Sequence, residues 1–275
     1  MTGHVTEPTA ALADELPRWV TLLRAPNPGP MTLDGTNTWL LRAPSARETV
    51  VIDPGPPDPS HLDAIMARGP IALILVTHGH PDHVGAAEEL AARSGAPLRG
   101  LVAGYEQPDD LRTGAPFAIA GVTITTLRTP GHTEDSVCYL VEGDGQRAIF
   151  TGDTILGRGT TVIAHPDGDL AAYLESLTAL SAYDKVPALP GHGPALADCA
   201  AAARFYLAHR RARLDQVRQA VRAGARTAAE VVATIYQDVD RSLWPAAELS
   251  VRAQLAYLAR EDREFDRGAV ELDSL

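Results

Sequence analysis

The chain has 275 residues, a formal charge of −11 and 45% hydrophobic residues. That composition excludes a disordered chain, and the longest apolar run, residues 71–76, is far too short to cross a bilayer. The length argues for one large domain with a small appendage.

The N-terminal stretch MTGHVTEPTAALADELPRW carries acids and prolines where a leader would carry basic residues and then an apolar run. The chain is therefore expected to be soluble and cytoplasmic, with no membrane partner. Two cysteines, Cys138 and Cys199, fit a reducing compartment. The charge is uneven. Residues 204–226 hold seven arginines against Asp215 alone, a net +6 that leaves −17 on the rest. An acidic body with one basic segment argues against general nucleic-acid binding. It leaves one place where phosphates could dock, although a solvated helix face explains the same pattern.

Short β-rich runs punctuated by Gly and Pro follow from residue 19. They are WVTLL (19–23), TNTWLLR (36–42), TVVID (49–53), IALILV (71–76), LRGLVA (98–103), VTITTLR (122–128), SVCYLVE (136–142), RAIFTG (147–152) and KVPALP (185–190). Helical patterns interrupt at 60–68, 84–93 and 169–182. The last spaces Leu170, Leu174, Leu177 and Leu180 by three and four, behind Asp169 as N-cap. Beyond about residue 197 the strands stop. Helical segments are predicted at 198–223, 227–236 and 246–263, and Thr227 with Glu230 reads as a capping box. The composition shift at about 197–204 divides the chain into a body, 1–200, and a tail, 201–275.

The stretch LVTHGHPDHVG (75–85) closes the fourth β-run with three histidines and an aspartate. His78 and His80, two apart in an extended turn, project the same way and can share one metal. Asp82 and His83 then begin a helix and can face a second. Imidazole nitrogen and carboxylate oxygen are suitable zinc ligands. A polar helix-capping loop would explain two nearby histidines. It does not explain three further ligand-type residues, each on a Gly-containing turn that ends a β-run: His132 in RTPGHTEDS, Asp153 in AIFTGDT and His192 in ALPGHGP. Asp53, in VVIDPG, reads equally as a brace for the ligand loop or as an ordinary turn carboxylate. Cys138 alternates within a strand pattern and reads as a buried strand residue.

THGHPDH resembles the HxHxDH motif of the metallo-β-lactamase superfamily, and His132, Asp153 and His192 match its remaining ligands in order. The resemblance covers roughly residues 19–195. It implies an α/β fold: a four-layer αβ/βα sandwich with the metals at the edge where strands end. It also implies that His78, His80 and His132 hold one metal, that Asp82, His83 and His192 hold the other, and that Asp153 bridges them. NPGPMTLDGTNTWLL (27–41), GHTEDSVCYL (131–140) and the tail opening at HRRARLDQV (209–217) are similar to the beta-lactamase-like protein 2 group. That likeness implies a small C-terminal helical, winged-helix-like domain.

Two divalent ions so placed would make a metal-bound hydroxide at neutral pH, with Asp82 orienting it and passing on its proton. Zinc is the default, with iron or manganese compatible with an N/O ligand set. The resemblance implies hydrolysis of a small-molecule thioester or ester, glyoxalase II-like, as the expected activity. The alternatives are an endoribonuclease or phosphodiesterase with RNA as substrate, an incidental β-lactamase activity, and a non-catalytic module whose tail binds nucleic acid. Contact between the arginine-rich segment and substrate, and the oligomeric state, are left open by the sequence.

Overall fold

The structure, a computed structural model, describes residues 10–12 and 16–272, with side chains described through residue 261. His4 and most of the N-terminal stretch discussed above lie outside the described residues.

Alternation of side chains builds the centre of the body. In β1 (Val20–Arg24), β2 (Asn37–Leu41), β3 (Thr49–Ile52), β4 (Ile71–Leu75) and β5 (Leu98–Arg99), strands pair in chain order into one sheet. The first two pairings are antiparallel and the last two parallel. Trp39, Leu41, Val50, Ile52, Leu73 and Leu75 point to one face, and Leu40, Val51 and Ile74 to the other. The second sheet runs β10 (Ala188–Pro190), β9 (Gln146–Gly152), β8 (Val137–Gly143), β7 (Val122–Arg128), β6 (Phe117–Ile119). Its inward residues Ile124, Tyr139, Val141, Ala148 and Phe150 meet those of the first sheet in a dry core. This period-two pattern forces each strand to show one face to the core and the other to a helix layer.

The outer faces are covered accordingly. On the first sheet lie α1 (Pro59–Met66) and α3 (Ala87–Ser94), through Leu62, Ile65 and Leu90. On the second lie α5 (Leu170–Leu180) and the first half of α6 (Cys199–Arg222), through Tyr173, Leu177, Ala203 and Tyr206. The architecture is the four-layer sandwich expected. Asp169 caps α5, accepting from the Ala172 N–H at 3.0 Å, and Asp198 caps α6 in the same way.

The division at 200/201 falls in the first turn of α6, which runs on without a break. Its second half joins α7 (Ala228–Ile235) and α8 (Trp244–Leu272) around Val217, Val231, Val232 and Val251. The Thr227–Glu230 capping box is formed. Among the described residues no helix is long and apolar enough to cross a membrane.

Several elements differ from the sequence reading. The helix predicted at 84–93 is two, α2 (Pro81–Val84) and α3, because the Ala86 N–H bonds to the Gly55 carbonyl instead of continuing the helical ladder. The run at 98–103 pairs with β4 only through Leu98–Arg99, because the Gly100 N–H turns to the Glu106 carbonyl at 3.2 Å. The edge strand β6 and the short α4 (Asp109–Thr113) carry patterns too short to stand out.

Phe150 is fully buried, its ring 5.7 Å from Trp39 and 6.4 Å from Trp19. Phe150→Ala should cost about 3–5 kcal/mol, read as a lowered urea midpoint at unchanged slope; a loss under about 1 kcal/mol would contradict this packing.

Candidate metal centre

The ligand-type residues all leave the C-terminal ends of strands. β4 delivers Thr77, His78 and His80, and Pro81 at the first helical position starts the single turn α2, which carries Asp82 and His83. His80 is the N-cap of α2 yet makes no side-chain cap bond, so its ring turns inward. His132 follows β7, Asp153 follows β9 and His192 follows β10. The parallel and antiparallel strands bring these loops to one edge of the sandwich.

All seven residues converge, in two groups. His78, His80, His132 and Asp153 form one, and Asp82, His83 and His192 the other, with the ligand atoms of each group within 4.8 Å of one another. In the first, His80 Nδ1 lies 3.1 Å from His78 Nε2 and 3.0 Å from His132 Nε2. In the second, Asp82 Oδ2 lies 3.1 Å from His192 Nε2 and 3.3 Å from His83 Nε2. Asp153 stands between them. Its Oδ2 is 3.8 Å from His132 Nε2, and its Oδ1 is 3.4 Å from both His83 and His192.

The outward nitrogens explain why the inward ones are free. His83 Nδ1 donates to Asp53 Oδ2 at 2.9 Å, His132 Nδ1 to the Val162 carbonyl at 2.6 Å, and His78 Nδ1 to Thr77 Oγ1 at 3.0 Å. A ring proton fixed outward leaves the Nε2 lone pair facing in, the arrangement found around bound metals. Asp53 is thus the brace, not an ordinary turn carboxylate. It is buried, has a left-handed φ of 53°, and also accepts from the Thr77 N–H and hydroxyl, each at 2.7 Å. Gly191 is required by close approach: a Cβ there would lie 2.6 Å from His83 Cε1 and 2.7 Å from Asp153 Oδ1.

The donor set fits a divalent cation on two observations. Asp153 Oδ1 is buried without a hydrogen-bond partner, an expensive arrangement for a carboxylate. The local field also calls for positive charge. Burial opposes protonation of His83, yet Asp153 and Asp53 raise its pKa well above the ordinary histidine value. Burial likewise opposes it at His192, which Asp153 and Asp82 nevertheless raise to about 9. Burial works against the Asp82 anion, and His192 and His83 still hold it at about 2. The group around Asp82, which draws protons onto His83 and His192, attracts a cation for the same reason, whereas burial pushes His78 and His132 down and leaves their lone pairs available.

Several contributors carry no sequence signal. Thr36 Oγ1 donates to Asp82 Oδ2 at 3.0 Å. The Asn37 amide donates to the Pro190 and Gly193 carbonyls, clamping the His192 turn to β2. Thr161 Oγ1 lies 3.1 Å from His132 Nδ1. A TNT triplet reads only as strand, and the Thr161 contact joins residues 29 apart in sequence, across β8 and β9. Cys138 stays outside the cluster: its Sγ lies 3.3 Å from Thr129 Oγ1, and burial pushes the thiol up to about 11.

The centre opens into a cavity of about 530 Å³. Its floor is His80, Asp82, His132, Asp153 and His192. Its walls are mostly apolar, from Met31, Leu33, Leu156 and Val162 of the body and Tyr236, Val239 and Leu243 of the tail.

Residues 31–192 match the model of the metallo-beta-lactamase superfamily. The chain belongs to that superfamily. Residues 227–265 match the beta-lactamase associated winged helix domain, so the tail is of that type. Similar proteins include a beta-lactamase-like protein 2 homolog of Drosophila melanogaster, 32% identical over 86% of this chain and 86% of the relative. An atrochrysone carboxyl ACP thioesterase of Aspergillus chevalieri is 35% identical over 81% of this chain and 74% of its own length. A beta-lactamase domain protein from Burkholderia ambifaria has the same fold, with a TM-score of 0.74 at 24% identity over 90% of this chain and 88% of that one. The chain is a superfamily hydrolase of the beta-lactamase-like protein 2 group, with a His/Asp cluster suited to a divalent metal pair.

Asp53→Asn should weaken metal binding about 10–100-fold without unfolding the chain, measured by competition with a chelating dye beside far-UV circular dichroism. Unchanged affinity would remove Asp53 from the site. His209, half-buried on the cavity wall, is pulled down to about 4 by burial and by the charges of Arg210 and Arg213. Since the unfolded chain takes up this proton near pH 6.5 and the folded one does not, the contribution is fully present above pH 6.5 and is lost as pH falls towards 4. His209→Gln should therefore flatten the stability–pH curve in that window. An unaltered slope would contradict the assignment.

Proposed function

We propose that the chain hydrolyses a small-molecule thioester or ester with a dinuclear metal centre, zinc by default, held by His78, His80 and His132 on one side, by Asp82, His83 and His192 on the other, and by Asp153 between. The observation that carries the reading is the opening of both ligand groups onto one largely apolar cavity of about 530 Å³. Such a cavity suits an acyl group better than a polyanion. The thioesterase name of one relative points the same way.

A divalent pair supplies Lewis acidity there, making water nucleophilic near neutral pH and polarising the acyl carbonyl. The chain's residues do the rest. Asp82 is the most exposed carboxylate of the centre, its side chain 26% accessible against 11% for Asp153. It therefore faces the cavity, where it can orient the attacking water and accept its proton. Thr36 and His192 keep Asp82 Oδ2 in place. The apolar walls exclude competing water from the acyl group and hold it over the floor.

Asp82→Asn should lower kcat by at least about 100-fold while the thermal unfolding midpoint moves little; near-normal turnover of S-D-lactoylglutathione and simple acyl thioesters would exclude the role. Exhaustive chelation should abolish turnover and zinc should restore it. Full activity in the chelated protein would overturn the reading.

A further inference from the structure

The arginines of α6 do not form one stripe. Arg204, Arg211 and Arg218 recur every seven residues on the outer face, and Arg204 and Arg218 pair there with Asp184, Asp215 and Glu261. Arg210 and Arg213 lie on the opposite side and line the cavity, with His209 directly before Arg210 in sequence.

Arg210 is 3% exposed, on the same face of α6 as Tyr206, Leu214 and Val217. It donates to the Thr161 carbonyl, and its guanidinium carbon stands 5.3 Å from the Tyr173 ring centroid. Its Nε has no hydrogen-bond partner. Arg213 lies over the Tyr236 ring at 4.4 Å and donates to Gln216 Oε1 and to the Ile235 carbonyl. Neither arginine has an ion pair among the described residues. The third arginine of the wall, Arg158, is occupied by Asp34. The cavity's lining carboxylates are Asp82 and Asp153, both on its metal floor. In a chain of net charge −11, one wall of the site is thus cationic and uncompensated. A buried guanidinium without a counter-charge is costly unless something anionic joins it.

We infer that Arg210 and Arg213 form an anion subsite facing the metal floor, so that the preferred substrate carries a carboxylate or phosphate on the group that fills the cavity. This rests on the acyl-hydrolase reading above for what is cleaved, but not for the anion site itself. Planar guanidinium suits either oxyanion through paired hydrogen bonds. Two sources could present the anion: the far end of the acyl chain, or the thiol portion of a thioester. The depressed pKa of His209 agrees with a local excess of positive charge there.

The test uses the zinc-loaded full chain and three thioesters of matched acyl length: hexanoyl N-acetylcysteamine, adipoyl N-acetylcysteamine, and S-hexanoylglutathione. Calorimetry with neutral hexanamide, the adipate monoamide adipamate and S-hexylglutathione runs beside it and needs no turnover. At least one anionic probe should bind about tenfold more tightly than hexanamide, and the matching thioester should show a kcat/KM advantage of similar size, carried by KM. An adipoyl advantage puts the anion on the acyl chain, and a glutathione advantage puts it on the thiol. Arg213→Gln and Arg210→Met should each shrink the preference towards unity. Equal binding of all three probes would overturn the subsite, and a preference that survives both substitutions would overturn its location. If anionic probes bind preferentially while none of the thioesters is cleaved, the subsite stands and the thioester reading falls.

Discussion

The structure depends on one constraint: five imidazoles and two carboxylates are aimed into a common space where they cannot satisfy one another. A proton can bridge the Nε2 atoms of His83 and His192, 3.2 Å apart, but Asp153 Oδ1 is still left buried without a hydrogen-bond partner. Holding such a set together needs a rigid scaffold. The two sheets provide it, because four strand ends deliver the loops from a core that admits no slippage: a one-residue shift of β4 or β9 would exchange its inner and outer faces. The outward hydrogen bonds of His78, His83 and His132 then fix each ring.

The tail takes part in the same arrangement. α6 runs from the outer layer of the body into the winged-helix domain without interruption. Tyr206 bonds the Leu156 N–H and the Gly159 carbonyl, Arg210 bonds the Thr161 carbonyl, and Ser250 of α8 accepts the Ile163 N–H. Residues 156–163 are thereby held from the tail side, and Thr161 and Val162 in that loop hold His132. The helices that wall the cavity also steady His132 on its floor, so the tail and the candidate metal centre are mechanically connected.

What was legible in the sequence followed from periodicity and residue type. The strand runs with clean alternation, such as VTITTLR and RAIFTG, sit within a residue or so of their predicted bounds. The seven ligand-type residues stood out because the four stretches that carry them each close a β-run on a glycine turn, with Asp82 and His83 opening the helix that follows the first. The rest was hidden for physical reasons. The role of Asp53 is decided by His83, thirty residues away. Thr36 looks like any strand threonine until Asp82 is placed beside it. The arginine-rich segment reads as one basic face by composition, whereas helical geometry divides it into a paired outer set and an inner pair at the cavity.

The most direct test of the account is the anomalous diffraction of crystals of the purified chain, measured on both sides of the zinc edge with the same scan at the iron and manganese edges. The account requires two peaks, one among His78, His80 and His132, the other among Asp82, His83 and His192, with Asp153 reaching both. A single peak, or none in protein shown to be catalytically competent, would contradict it.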